Sequence, residues 1–583
     1  MTHTHQKHWQ ITGPPGTGKT TWLVHNALKA AEKFGPEKIV VASLTRAAAY
    51  EFASRGLHVV PRDQLGTLHS ICLRALGRPE LVGKHIDDWN RFVTSHGWPG
   101  FCLVEDVGPK GFDLNRKAGE GDYLLNRLSV LRNIFPGINT DPAPLWLQRG
   151  ATQKLLIYRE LWEEWKGDCG YMDFTDLLEA CLESVSHAPG NPRALFGDEA
   201  QDWSRLELSL FRDKWGEDVD TVEKVILVGD PDQAIFEWRG ADPRLFIDFQ
   251  VPESNKRLLD QSYRVPADVR NCALAWIEWG IEDRAKVDYK ARVSGDPPSP
   301  VKGSVLHVTA TFRSTWGLHE ILEEIYQSDE DVFILASCNY MLAEMISNLR
   351  KWGFPFDNPY RSEAGQWNPL RRGDQISRPG QRHSVTRFDK LMAYLAISQE
   401  LRGEFWHEWS WQEIEHWTEP LRAMGDDSVL AYKARGRIKQ FIESKATVTM
   451  TDFNALFVGI NASLARTGNL TWWLSAMREK ELPGYTYLSN IIKFRGYKAL
   501  LKPPKIHPGT IHSVKGAQAD HVILFPDLSP AGDEIYNGLD KAPVVRLFYV
   551  AITRAYKRLI LCSPDSPRHV KILKTSTRSA EVG

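Results

Sequence analysis

The sequence predicts an α/β protein with two parallel-sheet cores, each interrupted by a mostly helical insertion. Three observations predict it. Strand–loop–helix units follow one another near the N-terminus, the order that builds a parallel sheet. Apolar runs at 195–196 and 224–229 lead into acids, placing charge at the carboxyl ends of strands, where such sheets bind ligands. The same rhythm restarts after residue 300, pauses, and resumes near residue 520.

Taken in order, the stretch from Ile11 contains Gly13–Thr20, and Leu23, Val24, Ala27 and Leu28 carry the helical spacing that must follow. Residues 38–45 read as a buried strand and 46–52 as a helix. Residues 76–165 lose the α/β pattern and are helical and Trp-rich, an insertion. The second core begins with strands near 303–308 and 332–336, gives way to a helical block at 370–485, and returns at 521–525 and 558–562. The Pro-rich stretch Gly295–Pro300 marks a linker or turn. The expected division is therefore 1–75 with 166–268 as the first core and 269–369 with 486–565 as the second. Residues 76–165 and 370–485 are the insertions, and 566–583 a polar tail.

Bulk properties bound the partners. At 583 residues the chain exceeds the ~250–300 at which single cores stop growing. Its net charge of −1 means that a polyanion is held only by local basic surfaces. Seven scattered cysteines contain no C-x-x-C pair, which argues against a zinc knuckle, an iron–sulfur cluster or a disulfide framework and fits a reducing cytosol. No apolar run approaches the ~18 residues of a membrane span, so a cytoplasmic protein with no membrane contact is expected. Tryptophan is abundant, 21 residues; most should be packing, a few available to stack on bases.

The loop Gly13-Pro14-Pro15-Gly16-Thr17-Gly18-Lys19-Thr20-Thr21 satisfies G-x-x-x-x-G-K-[ST]. Glycines let successive backbone N–H groups turn toward phosphate oxygens at the positive end of a helix. Lys19 supplies a cation for the β- and γ-phosphates, and the Thr20 hydroxyl a ligand for Mg²⁺. The pair Asp198-Glu199 at a strand end suits a metal-supporting acid followed by a general base. Gln233, just past another strand end, suits a γ-phosphate sensor, and Trp238-Arg239 a base-stacking aromatic with a phosphate contact.

Together these stretches resemble motifs I, II and III of the UvrD/Rep-type superfamily 1 helicases, and further segments are similar to the rest of the set in order. Ser43–Ala49 resembles motif Ia, Gly66–Ser70 motif Ib, and Met172–Leu178 the D-F-x-D-L segment before the acidic box. Gln261–Arg264 resembles motif IV, Gly509–Gly516 motif V and Leu547–Ala555 motif VI. The resemblance implies two RecA-like cores with ATP and Mg²⁺ bound between them. It places Tyr263 on adenine, Gln518 near the ribose, and Arg264 and the arginine finger Arg554 at the γ-phosphate. It assigns Thr45, Arg46, His69, Trp238, Arg239 and His512 to single-stranded DNA. The activity implied is an ATP-driven 3′→5′ DNA helicase acting on single strands and single-strand/duplex junctions; the alternative is a translocase that strips proteins without processive unwinding. Two features depart from the pattern: only ten residues precede Ile11, leaving Gln6 and Gln10 close to the loop, and Gln518 stands where a Glu is usual. The compact accessory regions suit a phage- or plasmid-type member. Basic residues Arg371, Arg372, Arg378, Arg382 and Arg387 near the second insertion suit either duplex phosphate or a solvated loop.

Overall fold

The computed structural model describes residues 6–104, 119–217, 221–282, 284, 287–359, 365–374 and 385–572. The architecture is α/β, with two parallel-stranded cores and helical insertions, as the sequence predicts. The chain divides into two units: Met1–Val308 with Leu335–Tyr340 and Thr510–Gly583, and Thr309–Ile334 with Met341–Gly509.

In the first unit, β1 (His8–Thr12), β2 (Ile39–Ser43), β3 (Leu65–Thr67), β4 (Ala194–Gly197), β5 (Lys224–Gly229) and β6 (Lys256–Leu258) form a sheet in the order β3-β2-β4-β5-β1-β6. All five pairings are parallel. Alternate residues of a strand point to opposite faces. Ile39, Val41, Phe196 and Ile226 pack with Leu23, Val24 and Ala27 of the helix Lys19–Phe34. Val40, Ala42, Leu195 and Leu227 pack on the other side with Leu177, Trp203 and Phe211. Burial on both faces is why these strands read as unbroken apolar runs. Thr12 lies beside Gly229 and Leu258, so the loop after β1 emerges between the ends of β5 and β6.

The first insertion has its own core, in which Trp89, Trp146, Tyr158, Trp162 and Trp165 are buried. It is joined to the sheet's helices by a buried charge network. Arg132, in the helix Glu120–Ile134, donates to Asp173 at 3.0 Å and pairs with Asp176 and Glu179. Lys166 and the Trp162 indole reach the same Asp173 oxygen at 3.1 and 2.9 Å. Asp173 also caps the helix Phe174–Ser184 through the Thr175 and Asp176 N–H groups. The D-F-x-D-L segment is thus a junction between insertion and core.

Further strands are β7 (Ser304–Val308), β8 (Val332–Ala336), β9 (Ile506–Thr510), β10 (Ala519–Leu524) and β11 (Ala555–Cys562). Within the first unit, β11 pairs in parallel with both β10 and β7. The helix Ala542–Ile552 precedes β11 and is buried along most of its length.

In the second unit, the Val332 N–H donates to Lys505 O at 2.8 Å where β8 and β9 begin, and helices follow. The block from Arg387 to Arg495 is built around aromatics: Tyr394 stacks on Trp473 at 5.0 Å, Trp409 lies 4.8 Å from Trp417, and the Trp473 indole donates to Trp417 O. These tryptophans are packing, as expected for most of the 21. Of the basic set, Arg378 and Arg382 lie outside the described residues. Among the described residues, no helix is long and apolar enough to cross a membrane, and no disulfide links the seven cysteines.

Candidate active site

The phosphate loop is shaped by glycines at two places where nothing larger fits. Gly16 has φ 74°, and a side chain there would strike Ser262 and Arg264. A Cβ on Gly13 would lie 2.6 Å from Lys19 Cγ and 2.7 Å from Thr17 Oγ1. The loop is pinned at both ends: Gly13 N–H donates to Gly229 O at 3.1 Å, and Thr17 Oγ1 to Pro14 O at 2.9 Å. Lys19 is buried and donates to Gly13 O at 2.6 Å, curling back over the loop. The Thr21 hydroxyl accepts from Arg55 at 2.5 Å.

Asp198 and Glu199 follow β4 as predicted, but their environments differ. Burial, then the neighbouring Glu199, push Asp198 up to about 7. Burial also penalises the Glu199 anion, but Lys515 and Lys19 outweigh it and hold that carboxyl below its ordinary value. One acid is thereby kept ionised beside another that resists ionisation. Thr20 Oγ1 donates to Asp198 Oδ2 at 3.3 Å, while Asp198 Oδ1 is buried without a hydrogen-bond partner. Hydroxyl and orphaned carboxylate oxygen together are hard donors of the kind that would hold Mg²⁺. Among the described residues no group of three or more His, Cys, Asp or Glu forms a cage that would hold a metal by itself.

Gln201 and Asp202 tie this box to the next segment. Gln201 Oε1 accepts from Asp230 N at 2.9 Å, and Asp202 Oδ1 from Ile235 N at 3.1 Å. Gln233 donates to Asp230 at 2.5 Å, and its Oε1 accepts from Arg554 Nη2 at 2.5 Å. Arg554 is 1 % exposed, its other N–H groups donating to Val550 O and Ala517 O. Lys515 pairs with Asp202, donates to Gln233 O at 2.7 Å and lies 3.9 Å from Glu199. The sequence pattern of motif V carries no sign that Lys515 lies against the acidic box.

The segment 262–264 closes the loop's other side. Ser262 Oγ donates to Pro15 O at 2.8 Å and Tyr263 N to Gly16 O at 2.7 Å. Tyr263 is 66 % exposed, its ring at van der Waals distance from where a Gly18 side chain would be. Arg264 donates to Gln518 Oε1 at 2.9 Å. Burial and then Arg554 push the Arg264 guanidinium down to about 9. Two cations forced together in this way favour an anion near both. Gln10 is engaged elsewhere, its amide donating to Phe246 O.

The residues expected to face the strand fall into two groups. Arg239 donates to Glu207 Oε1 at 2.8 Å, and His69 lies 3.8 Å from the same oxygen. Phe236 bridges Trp238 and His512 through ring contacts at 6.1 and 6.3 Å. Burial is the main cause that lowers His69 and His512 each to about 4, so at neutral pH both are uncharged hydrogen-bonding rings. The Thr45 side chain caps the helix Arg46–Ser54, accepting from the Ala48 N–H. The Arg46 side chain lies outside the described residues. Glu207 was not anticipated; a lone Glu three residues after Ser204 reads only as a capping box, which it also is.

Comparison with known proteins agrees with the motif reading. Residues 1–239 match the family described as AAA domain. The chain is similar to an ATP-dependent DNA helicase PcrA of Staphylococcus epidermidis, 24 % identical over 301 residues, covering 49 % of this chain and 40 % of that protein. A Staphylococcus aureus protein of the same name is 25 % identical over 306 residues, with the same coverage of each chain. The matched region is thus less than half the length of these relatives.

Proposed function

We propose that this chain, a UvrD/Rep-like superfamily 1 member, is an ATP-dependent DNA helicase that tracks along single-stranded DNA in the 3′→5′ direction. The observation that carries the proposal is the contact of Arg554 with Gln233. It brings a cation from the segment between the helix Ala542–Ile552 and β11 onto the residue that follows the phosphate-loop sheet. The five-segment division into two cores, two insertions and a tail belongs to the same proposal.

The backbone N–H groups of Gly16, Gly18 and Lys19, together with the Lys19 ammonium, bind the β- and γ-phosphates of ATP. Mg²⁺, held by Thr20 and Asp198 with substrate oxygens, supplies charge neutralisation on the phosphates when bound. Glu199, kept ionised by Lys515 and Lys19, takes a proton from the attacking water. The new P–O bond forms as the bond to the β-phosphate oxygen breaks, and ADP leaves with that electron pair. Arg554 and Arg264 stabilise charge developing on the transferred phosphoryl group, and Gln233 orients the water or the γ-phosphate. Tyr263 stacks on the base and Gln518 faces the ribose. Trp238, His512, Arg239, His69, Thr45 and Arg46 grip the strand, with stacking at about 1–3 kcal/mol per base.

The test is unwinding of 3′-tailed, 5′-tailed and RNA-containing duplexes with ATP and Mg²⁺. Strand separation confined to the 3′-tailed DNA supports the proposal. Strand-stimulated hydrolysis without separation on any tail would replace the helicase by a stripping translocase, and separation from 5′ tails would reverse the polarity.

A further inference from the structure

The turn carrying Trp238 is mounted at every second residue. Gln233 is held by Arg554, the Ile235 N–H by Asp202, Glu237 by Arg546 and Arg239 by Glu207. Phe236 and Trp238 alternate with these anchors and meet His512 through Phe236. Two anchors, Asp202 and Glu207, belong to the first sheet's side. The other two ride on one element: Arg546 lies within the helix Ala542–Ile552 and Arg554 just past its end.

The second pair of anchors is matched end to end. Arg554 follows Arg546 by eight residues, and Glu237 opens a 3₁₀ turn four residues after Gln233 closes the preceding one. The two segments run in opposite directions, 554 meeting 233 and 546 meeting 237. The Arg546 Nη1 to Glu237 Oε1 distance is 2.6 Å, with the side chains 13 % and 24 % exposed. A charge pair this shielded from water is costly to leave half-made. The ring of Trp238 therefore follows the helix that carries the arginine at the γ-phosphate.

We propose that Arg546 and Glu237 are positioning residues that couple the nucleotide site to the strand site by fixing the Trp238 turn to the helix Ala542–Ile552. The inference rests on the strand-gripping role proposed above for Trp238. Neither residue touches nucleotide or strand; each acts through Trp238. Without the pair the helix still delivers Arg554, but its movement no longer obliges Trp238 to move.

The test compares steady-state ATP hydrolysis with and without saturating oligo(dT) in Arg546→Gln, Glu237→Gln, the exchange Glu237→Arg with Arg546→Glu, and Trp238→Ala, alongside thermal midpoints. The ratio of stimulated to unstimulated turnover should fall about tenfold in each single Gln variant, within the range that coupling residues span. The fall should appear with the thermal midpoint unchanged, which a merely stabilising pair would not give, and the exchange should recover most of the ratio. Unchanged ratios in both Gln variants, with Trp238→Ala losing stimulation, would overturn the coupling role alone. Retained stimulation in Trp238→Ala would overturn the strand-gripping reading and the coupling with it. Where a variant melts early, its ratio is read below its transition, and recovery in the exchange decides.

Discussion

Arg554 Nη2 and Gln233 Oε1 meet at 2.5 Å although 321 residues separate them in the chain. Under the proposed mechanism this contact makes hydrolysis conditional on two sheets being in register, with a neutral amide, tied to Asp230, holding the guanidinium where charge develops. Arg554→Ala should leave ATP affinity within a few-fold and lower turnover by roughly 10³ or more, the range that arginine fingers supply. Equilibrium binding of a fluorescent ATP analogue, paired with steady-state hydrolysis, checks the split. Equal losses in both would make Arg554 a ground-state ligand instead.

Glu199→Gln preserves shape and the hydrogen bond from Gln201, at 2.6 Å, can be re-formed to the amide oxygen. What is lost is the negative charge facing Lys515 and, with it, the proposed proton acceptor. Hydrolysis should slow by about 10²–10⁴ with ATP binding retained, whereas Lys19→Ala should abolish hydrolysis and leave nucleotide-free oligo(dT) binding intact. Burst-phase phosphate release separates a slow chemical step from slow product exit in the Gln variant. Loss of ATP binding there would move Glu199 from base to ligand.

The Arg132 network predicts a large stability effect far from the chemistry. Removing this guanidinium leaves Glu179 without its cation and Asp173 and Asp176 with Lys166 alone, and breaking a buried pair in this way costs about 3–5 kcal/mol. Arg132→Ala should lower the thermal midpoint by several degrees and expose the 160–180 segment to protease, read by calorimetry and limited proteolysis. A midpoint within a degree of the parent would show that the network is screened by water.

His507 gives the second unit a pH-dependent brace. Burial opposes its charge, but Asp357, 2.7 Å from Nδ1, and Asp331, 3.6 Å from Nε2, outweigh it and push the imidazole up to about 9. A pKa raised above the unfolded value of about 6.5 means stability fully present below pH 6.5 and lost as pH rises through 9. The loss should approach roughly 3–4 kcal/mol at ~1.4 kcal/mol per unit. Thermal scans from pH 6 to 10 should show a falling transition that His507→Gln flattens; parallel curves would remove the brace.

The sequence made the fold class legible because both faces of each central strand are buried, and strings such as Ile39–Ser43 admit no other reading. It also exposed those site residues whose backbone dictates their type: Gly16 at positive φ against Ser262, and Lys19 folded over Gly13. Side-chain partnerships across long separations were not legible. Lys515 against Asp202, Arg546 against Glu237, and Glu207 holding both Arg239 and His69 leave no periodicity in either partner's segment. Asp173 illustrates the limit, since the likeness to D-F-x-D-L picks out the segment but not the Arg132, Lys166 and Trp162 that converge on it.

That convergence on Asp173 has a mechanical consequence. A greasy contact between insertion and core would let one slide over the other, trading neighbours at little cost. A carboxylate shared by an arginine, a lysine and an indole has no intermediate position that satisfies all three. The joint is therefore stiff until it fails. A push or pull on the Trp89–Trp165 body is carried as a load straight into the helix Phe174–Ser184, ahead of the strand that presents Asp198 and Glu199, so that the insertion acts as a strut and not as a tethered flap.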